Sequence, residues 1–261
     1  MIDIYVPSYK RKNAIVIRRL IEAKIPFTIV LDHPADYEDY KQHESAATKI
    51  WMLDKALGIG YVRQRIKERY NGVPIVMIDD DTIFSLRKFE DPTRLITCNT
   101  SATVRKWFAI LDRFCMKNKF DIGSVGDSVF CWNKTEKTLR AGSLASVTIF
   151  NSRRCAEIDY DPNLYKRMED CDLVLQAITK GFTFLRCNEI LRHCPMNKAA
   201  EDKGGCSEVY QDDGAMRQTT GYLVNKWGAD IVRLSKTKKI GNLPDFTVDF
   251  GRLRKQYGYD Y

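Results

Sequence analysis

An α/β fold with a mostly parallel, doubly wound central sheet flanked by helices is predicted by three observations. Residues 75–81, IVMIDDD, form an apolar, β-branched run that ends abruptly in three carboxylates. That is the pattern of a buried parallel strand delivering its last residues to the crevice beyond the carboxyl ends of a sheet. Residues 2–31 read as strand, helix, strand, the βαβ unit of such sheets. Strand-like and helix-like segments then keep alternating to about residue 120.

Each element has its own justification. Residues 2–6 alternate and stop at the turn Pro7-Ser8-Tyr9, and apolar residues at 14, 15, 17, 20 and 21 form a helical stripe. Pro26 restarts an extended segment that ends at Asp32-His33-Pro34. Residues 46–57 are expected to hold a short strand and helix. Gly58-Ile59-Gly60 opens a helix over about 61–70, which Asn71-Gly72 ends before the acidic strand. Residues 104–116 predict an amphipathic helix with Trp107, Phe108, Ile110, Leu111, Phe114 and Cys115 on its core side. From 122 to 149 small polar residues, glycine and short β-prone runs suggest a smaller antiparallel section beside the parallel half. Leu173, Leu175, Ala177 and Ile178 mark a helix ending at Gly181, and residues 182–191 read as a last strand leading to His193. Residues 197–214 lose periodicity, contain Gly204-Gly205, and read as a mobile loop or lid.

Composition narrows the class. The 261 residues suit one domain, 44% hydrophobic and 29% charged content is ordinary for a globular chain, and no apolar stretch nears a membrane span. The start shows no signal-peptide layout, and the eight cysteines form no CxxC pair, so a cytoplasmic location with reduced thiols is expected. Cys187, His193, Cys194 and Cys206 match no familiar zinc spacing, and neighbours on a strand point oppositely. The net charge of +8 favours polyanionic partners, and residues 226–261 hold eight Lys or Arg against four Asp.

Three adjacent carboxylates at a strand end call for a cation, and hard divalent ions held by carboxylates commonly also bind substrate phosphates. A second acidic pair, Glu169-Asp170, opens the later helix, where acids also serve as plain helix-end charges.

The order of a PSY turn, a strand-end Asp32, the acidic triplet and the ED helix resembles the GT-A family of nucleotide-sugar glycosyltransferases over about residues 2–195. The family's G-x-x-x-x-R-N stretch is matched by Gly58 to Gln64, with Gln64 in place of Asn. Its ED-x-DL-x-L-R motif is matched by Glu169 to Gln176, with Gln176 in place of Arg. More narrowly, PSYKR, IDDDT, MEDCDL, RHCPM and the GG loop look like the TET-associated glycosyltransferases, encoded mainly by bacteriophages. These are understood to glycosylate 5-hydroxymethylcytosine made in DNA by a companion dioxygenase.

The resemblance implies a GT-A, Rossmann-like fold in one domain. Residues 1–120 would be its nucleotide-sugar half, 121–195 its acceptor half, and 196–261 a mobile loop and basic C-terminal segment. It implies a UDP-sugar donor and Mn²⁺ or Mg²⁺ held by Asp79, Asp81 and His193, although a histidine near a strand end also serves structure alone. Pro7, Tyr9, Arg11, Asp32, Arg63 and Asp80 would bind the nucleotide sugar, with core packing the alternative for Tyr9 and a surface cation the alternative for Arg11 and Arg63. Asp170 would be the general base that an inverting displacement needs, and Glu169 its orienting neighbour; a retaining outcome stays open. Double-stranded DNA would be the acceptor, made available by a TET-like dioxygenase in the host cytoplasm, with contacts at Lys203, Gly204, Gly205, Lys236, Lys238 and Lys239 and further cations at Arg252, Arg254 and Lys255. A glycan acceptor and an inactive sugar-nucleotide or DNA-binding module are the two other readings.

Overall fold

The computed structural model describes residues 2–132, 136–139, 144, 146–194, 213–240 and 243–259. The chain opens with β1 (Asp3–Pro7), α1 (Ile15–Ala23) and β2 (Phe27–Leu31). A short helix, α2 (Tyr37–Tyr40), precedes β3 (Thr48–Met52), α3 (Ile59–Lys67) and β4 (Ile75–Ile78). A hairpin of β5 (Ile83–Arg87) and β6 (Leu95–Thr97) leads to α4 (Ser101–Lys117) and β7 (Ile122–Asp127). Then come β8 (Thr138–Leu139), β9 (Val147–Phe150), α5 (Glu169–Thr179) and β10 (Phe184–His193).

The strands join in one sheet of order β3-β2-β1-β4-β9-β7-β10-β5-β6, with β8 pairing β10 off this path. β3, β2, β1 and β4 are mutually parallel, as predicted. The antiparallel character is distributed differently from expectation. β9 is inserted between β4 and β7 and runs against both, while β7 and β10 are parallel to each other. The region beyond residue 120 is therefore a continuation of the same sheet, not a section laid beside it. The helix expected within residues 46–57 is absent: β3 fills 48–52 and irregular chain follows to Gly58. Trp51 and Met52 pair with Val30 and Leu31, so the apolar residues there extend the sheet.

Helices cover both faces. On one, Val16, Ile17 and Leu20 of α1 and Val104, Trp107, Leu111 and Phe114 of α4 form a core with β1, β2 and β4. The α4 stripe is the one the sequence predicts, and Thr100 caps its start by accepting from Thr103 N. Buried Trp107 finds a partner for its indole N–H in the Leu191 carbonyl, 3.1 Å away. The opposite face packs Val62 and Ile66 of α3 with Leu173, Val174 and Ala177 of α5.

The last described segment holds α6 (Asp213–Trp227), a separate hairpin of β11 (Val232–Ile240) and β12 (Leu243–Val248), and α7 (Phe250–Gln256). Leu223, Ile231, Val232 and Leu253 join the core around α5. Asp161 anchors this unit, because Lys226 Nζ lies 2.6 Å and the Tyr222 hydroxyl 2.8 Å from its Oδ2. Burial works to raise the Asp161 carboxyl, but hydrogen bonds from Lys226 and Tyr222 outweigh it and hold the group below its usual value. A carboxylate depressed by folding adds stability above its unfolded pKa, about 3.9, and loses it as pH falls through the folded value. Thermal stability should thus decline as pH is lowered below about 4, with a smaller decline in Asp161→Asn, which differential scanning calorimetry at stepped pH would read. Among the described residues no helix is long and apolar enough to cross a membrane.

Candidate functional site

The acidic triplet sits where β4 ends. All four β4 residues are buried, and the turn that follows is fixed by Asp79 N donating to the Ser146 carbonyl and Thr82 N to the Asp79 carbonyl. The three carboxylates have different surroundings. Asp80 is buried; Ser8 Oγ donates to its Oδ2 at 2.6 Å and Arg11 Nη1 to its Oδ1 at 3.1 Å. Burial pushes its carboxyl up to about 6 against the pull of Ser8 and Arg11. Asp79 and Asp81 keep 30% and 34% of their side chains exposed. Asp81 accepts from Arg11 Nη1 at 3.1 Å and from the Cys194 thiol at 3.0 Å.

Arg63 is the hub of the site. It projects from α3, is 8% exposed, donates through Nη2 to Asp79 Oδ1 at 2.7 Å, and donates through Nη1 to Glu169. Burial works against its charge, yet Asp79 and Glu169 more than compensate and hold the guanidinium protonated. A planar fork suits two carboxylates on separate elements in a way that an ammonium does not. Among the described residues Arg63 thus bridges two acids on different elements. Two glycines allow this approach. Gly58, at φ +105°, receives an Asp32 Oδ2 acceptor on its N–H, and a Cβ on Gly60 would fall 2.7 Å from Tyr165 Cα and 3.2 Å from Glu169 Cβ.

Glu169 and Asp170 divide their roles by exposure. Glu169 is 4% exposed, and burial raises its carboxyl against the opposing Arg63 charge. Asp170 is half-buried, with one oxygen accepting from Cys171 N at 2.8 Å. The residue before them, Met168, is held at φ +57° and is buried, a left-handed conformation that costs a non-glycine residue of order 1 kcal/mol and concentrates at functional sites.

Several site residues are not legible from motif alone. Arg11 N donates to the Tyr40 hydroxyl, which bonds Ser8 Oγ, which donates to Asp80, a relay that fixes the PSYKR turn on the triplet. Burial raises the Tyr40 phenol to about 12, so it stays a donor. Pro7 closes β1, and Tyr9 packs edge-on against His33 at 6.2 Å, beside Asp32. His193 ends β10 and pairs across the sheet with Ile83, and the thiol of Cys194, the next residue, donates to Asp81 Oδ1 at 3.0 Å. Among the described residues no three His, Cys, Asp or Glu side chains gather in metal-holding geometry. Lys203, Gly204 and Gly205 lie outside the described residues, as does the expected lid, and the side chains of Lys236, Lys238 and Lys239 are likewise outside them. Arg252 of the basic tail pairs with Asp230 at 3.0 Å.

Comparison with known proteins adds a family match. A family model described as TET-Associated Glycosyltransferase matches residues 2–205. No curated protein matches the chain in sequence. Among solved structures, residues 1–349 of S. aureus TarS are similar at 14% identity and a TM-score of 0.45, over 86% of this chain and 65% of that one. A mannosyltransferase of Pyrobaculum calidifontis in complex with GDP-Man and Mn²⁺ is similar at 11% identity and 0.49, over 86% of this chain and 64% of that one. GalNAc-T7 with UDP, GalNAc and Mn²⁺ is similar at 10% identity and 0.49, over 73% and 43%. The chain thus spans less than two thirds of each of these proteins.

Proposed function

The chain belongs to the TET-associated glycosyltransferase family, and from that membership we propose that it moves a sugar from a UDP-sugar to the hydroxyl of 5-hydroxymethylcytosine in DNA, with inversion. The observation that carries this reading is the Arg63 fork, which ties the acidic end of β4 to the acidic start of α5. Donor diphosphate and acceptor hydroxyl then meet across one cleft. Asp170 accepts the proton of the acceptor hydroxyl as its oxygen attacks the anomeric carbon and the bond to the diphosphate breaks, releasing UDP. Glu169, fixed by Arg63, orients that base. Asp80, Arg11 and Asp32 with Pro7 and Tyr9 line the nucleotide side.

Asp79 and Asp81 suit Mn²⁺ or Mg²⁺, being hard oxygen donors that stay partly exposed while Asp80 is buried. An ion held there would neutralise charge on the departing diphosphate. Asp81→Ala is expected to abolish the metal-dependent part of UDP binding, read by titration calorimetry with and without Mn²⁺; unchanged metal dependence removes Asp81 from the ligand set.

A DNA acceptor fits the charge. Residues 15–24 and 101–119, α1 and α4 with their flanks, carry eight Lys or Arg against two acids, a net +6 of the chain's +8. Arg18, Lys24, Arg105, Lys106, Lys117 and Lys119 of this layer are exposed. Such a surface contacts phosphates without reading sequence, so affinity should fall steeply with salt. A modified base in a duplex must also leave the stack, at a cost of a few kcal/mol. The dioxygenase class that oxidises 5-methylcytosine would supply the substrate.

The test is to incubate the protein with Mn²⁺, a panel of UDP-sugars and duplex DNA containing 5-hydroxymethylcytosine, and to weigh the digested nucleosides. A hexose or N-acetylhexosamine mass on hydroxymethylcytidine alone is expected. UDP-sugar hydrolysis without added mass would keep the transferase and move the acceptor to a glycan or another modified base.

A further inference from the structure

The two places where the chain departs from its motifs, Gln64 and Gln176, meet at one segment. Gln64 Oε1 accepts from Tyr160 N at 3.0 Å and its Nε2 donates to Asp159 Oδ1 at 2.8 Å. Gln176 Oε1 accepts from Asp159 N at 3.2 Å while its Nε2 donates to the Asp159 carbonyl at 2.8 Å and to Asp172 Oδ2 at 2.7 Å. Positions 172 and 176 are one turn apart on α5, so the arginine of the motif would stand against Asp172 as an ion pair. Glutamine brings a donor there but no charge.

Asp172 is fully buried, and a buried carboxylate requires a compensating cation. It comes from α6. Lys226 Nζ is 2.9 Å from Asp172 Oδ1 and 2.6 Å from Asp161 Oδ2, and Trp227 Nε1 donates to Asp172 Oδ1 at 2.7 Å. Tyr222 of the same helix bonds Asp161. This helix begins at residue 213, past residue 205 where the family match ends. Asp172 lies in the first turn of α5, two residues after Asp170.

We propose that α6 supplies in space the cation that the motif's arginine supplies in sequence. Lys226 and Trp227 are positioning residues that act through Asp172 on the first turn of α5 and so on Asp170. The C-terminal segment is then part of the catalytic unit. The placement of Asp170 as base rests on the function proposed above, whereas the coupling of α6 to α5 does not.

Lys226→Met tests both parts. Hydrogen exchange at the amides of residues 172–174, which bond the carbonyls one turn back in the first turn of α5, should quicken at least about tenfold, and kcat should fall with donor KM unchanged. Adding Gln176→Arg to Lys226→Met returns a cation to Asp172 from within α5 and should restore slow exchange and most of kcat. Trp227→Phe, which keeps the ring and removes the donor, gives a milder form of the same effect should Lys226→Met fold poorly. Unchanged exchange at 172–174 overturns the coupling, whatever the acceptor proves to be. Failure of Gln176→Arg to rescue a folded Lys226→Met protein overturns the exchange of cations. Wild-type protein that transfers nothing to hydroxymethylated DNA leaves the exchange measurement to decide this proposal and refutes only the acceptor.

Discussion

Asp170→Asn is expected to lower transfer by about 10²–10⁴-fold, the span of a positioned general base, with UDP-sugar binding unchanged. The substitution keeps the shape of the side chain and an oxygen able to accept from Cys171 N, so the first turn of α5 keeps its geometry. Only the carboxylate's function as a proton acceptor is removed. Asp170 is the less buried member of the pair, whereas Glu169 is enclosed and spent on Arg63. Glu169→Gln should accordingly behave differently: it weakens the fork and lowers thermal stability together with activity. Single-turnover transfer and calorimetric UDP titration on both variants separate the two roles. Near wild-type turnover in Asp170→Asn would remove it as the base and turn attention to another acid at the cleft.

How much of this was legible before the structure follows from where each residue draws its information. The β4 run, the α1 and α4 stripes and the ED helix carry strong local patterns, because each buries one face or one whole strand. The insertion of β9 between β4 and β7 does not show in the sequence, since strand order is set by long-range pairing. α6 escapes for another reason: Gly221 and the threonines at 219 and 220 interrupt its periodicity, and it is held by Tyr222, Lys226 and Trp227 bonding to Asp161 and Asp172. Tyr40 is in no motif, yet it braces the triplet through Ser8. The Cys194 contact with Asp81 joins residues 113 apart in sequence, which no local pattern states.

Arg63→Met should be the most destabilising single change at the site. Removing one partner from a buried ion pair costs about 3–5 kcal/mol, because the remaining charge is left without compensation. Here two acids are left, Asp79 and Glu169, on separate elements that the guanidinium bridges. At about 2–4 °C per kcal/mol for a domain near this size, the midpoint of thermal unfolding should fall by roughly 10 °C. Arg63→Lys keeps the charge but not the fork, so it should recover part of the loss and none of the geometry. The decisive comparison is Arg63→Met with Glu169→Gln, which removes the cation and the more buried acid together. If the fork is the tie between β4 and α5, the double variant should be more stable than Arg63→Met alone, since it no longer encloses an unpaired carboxylate. Strict additivity of the two losses would mean that Arg63 and Glu169 act independently, and that the two acidic ends are held together by the surrounding core.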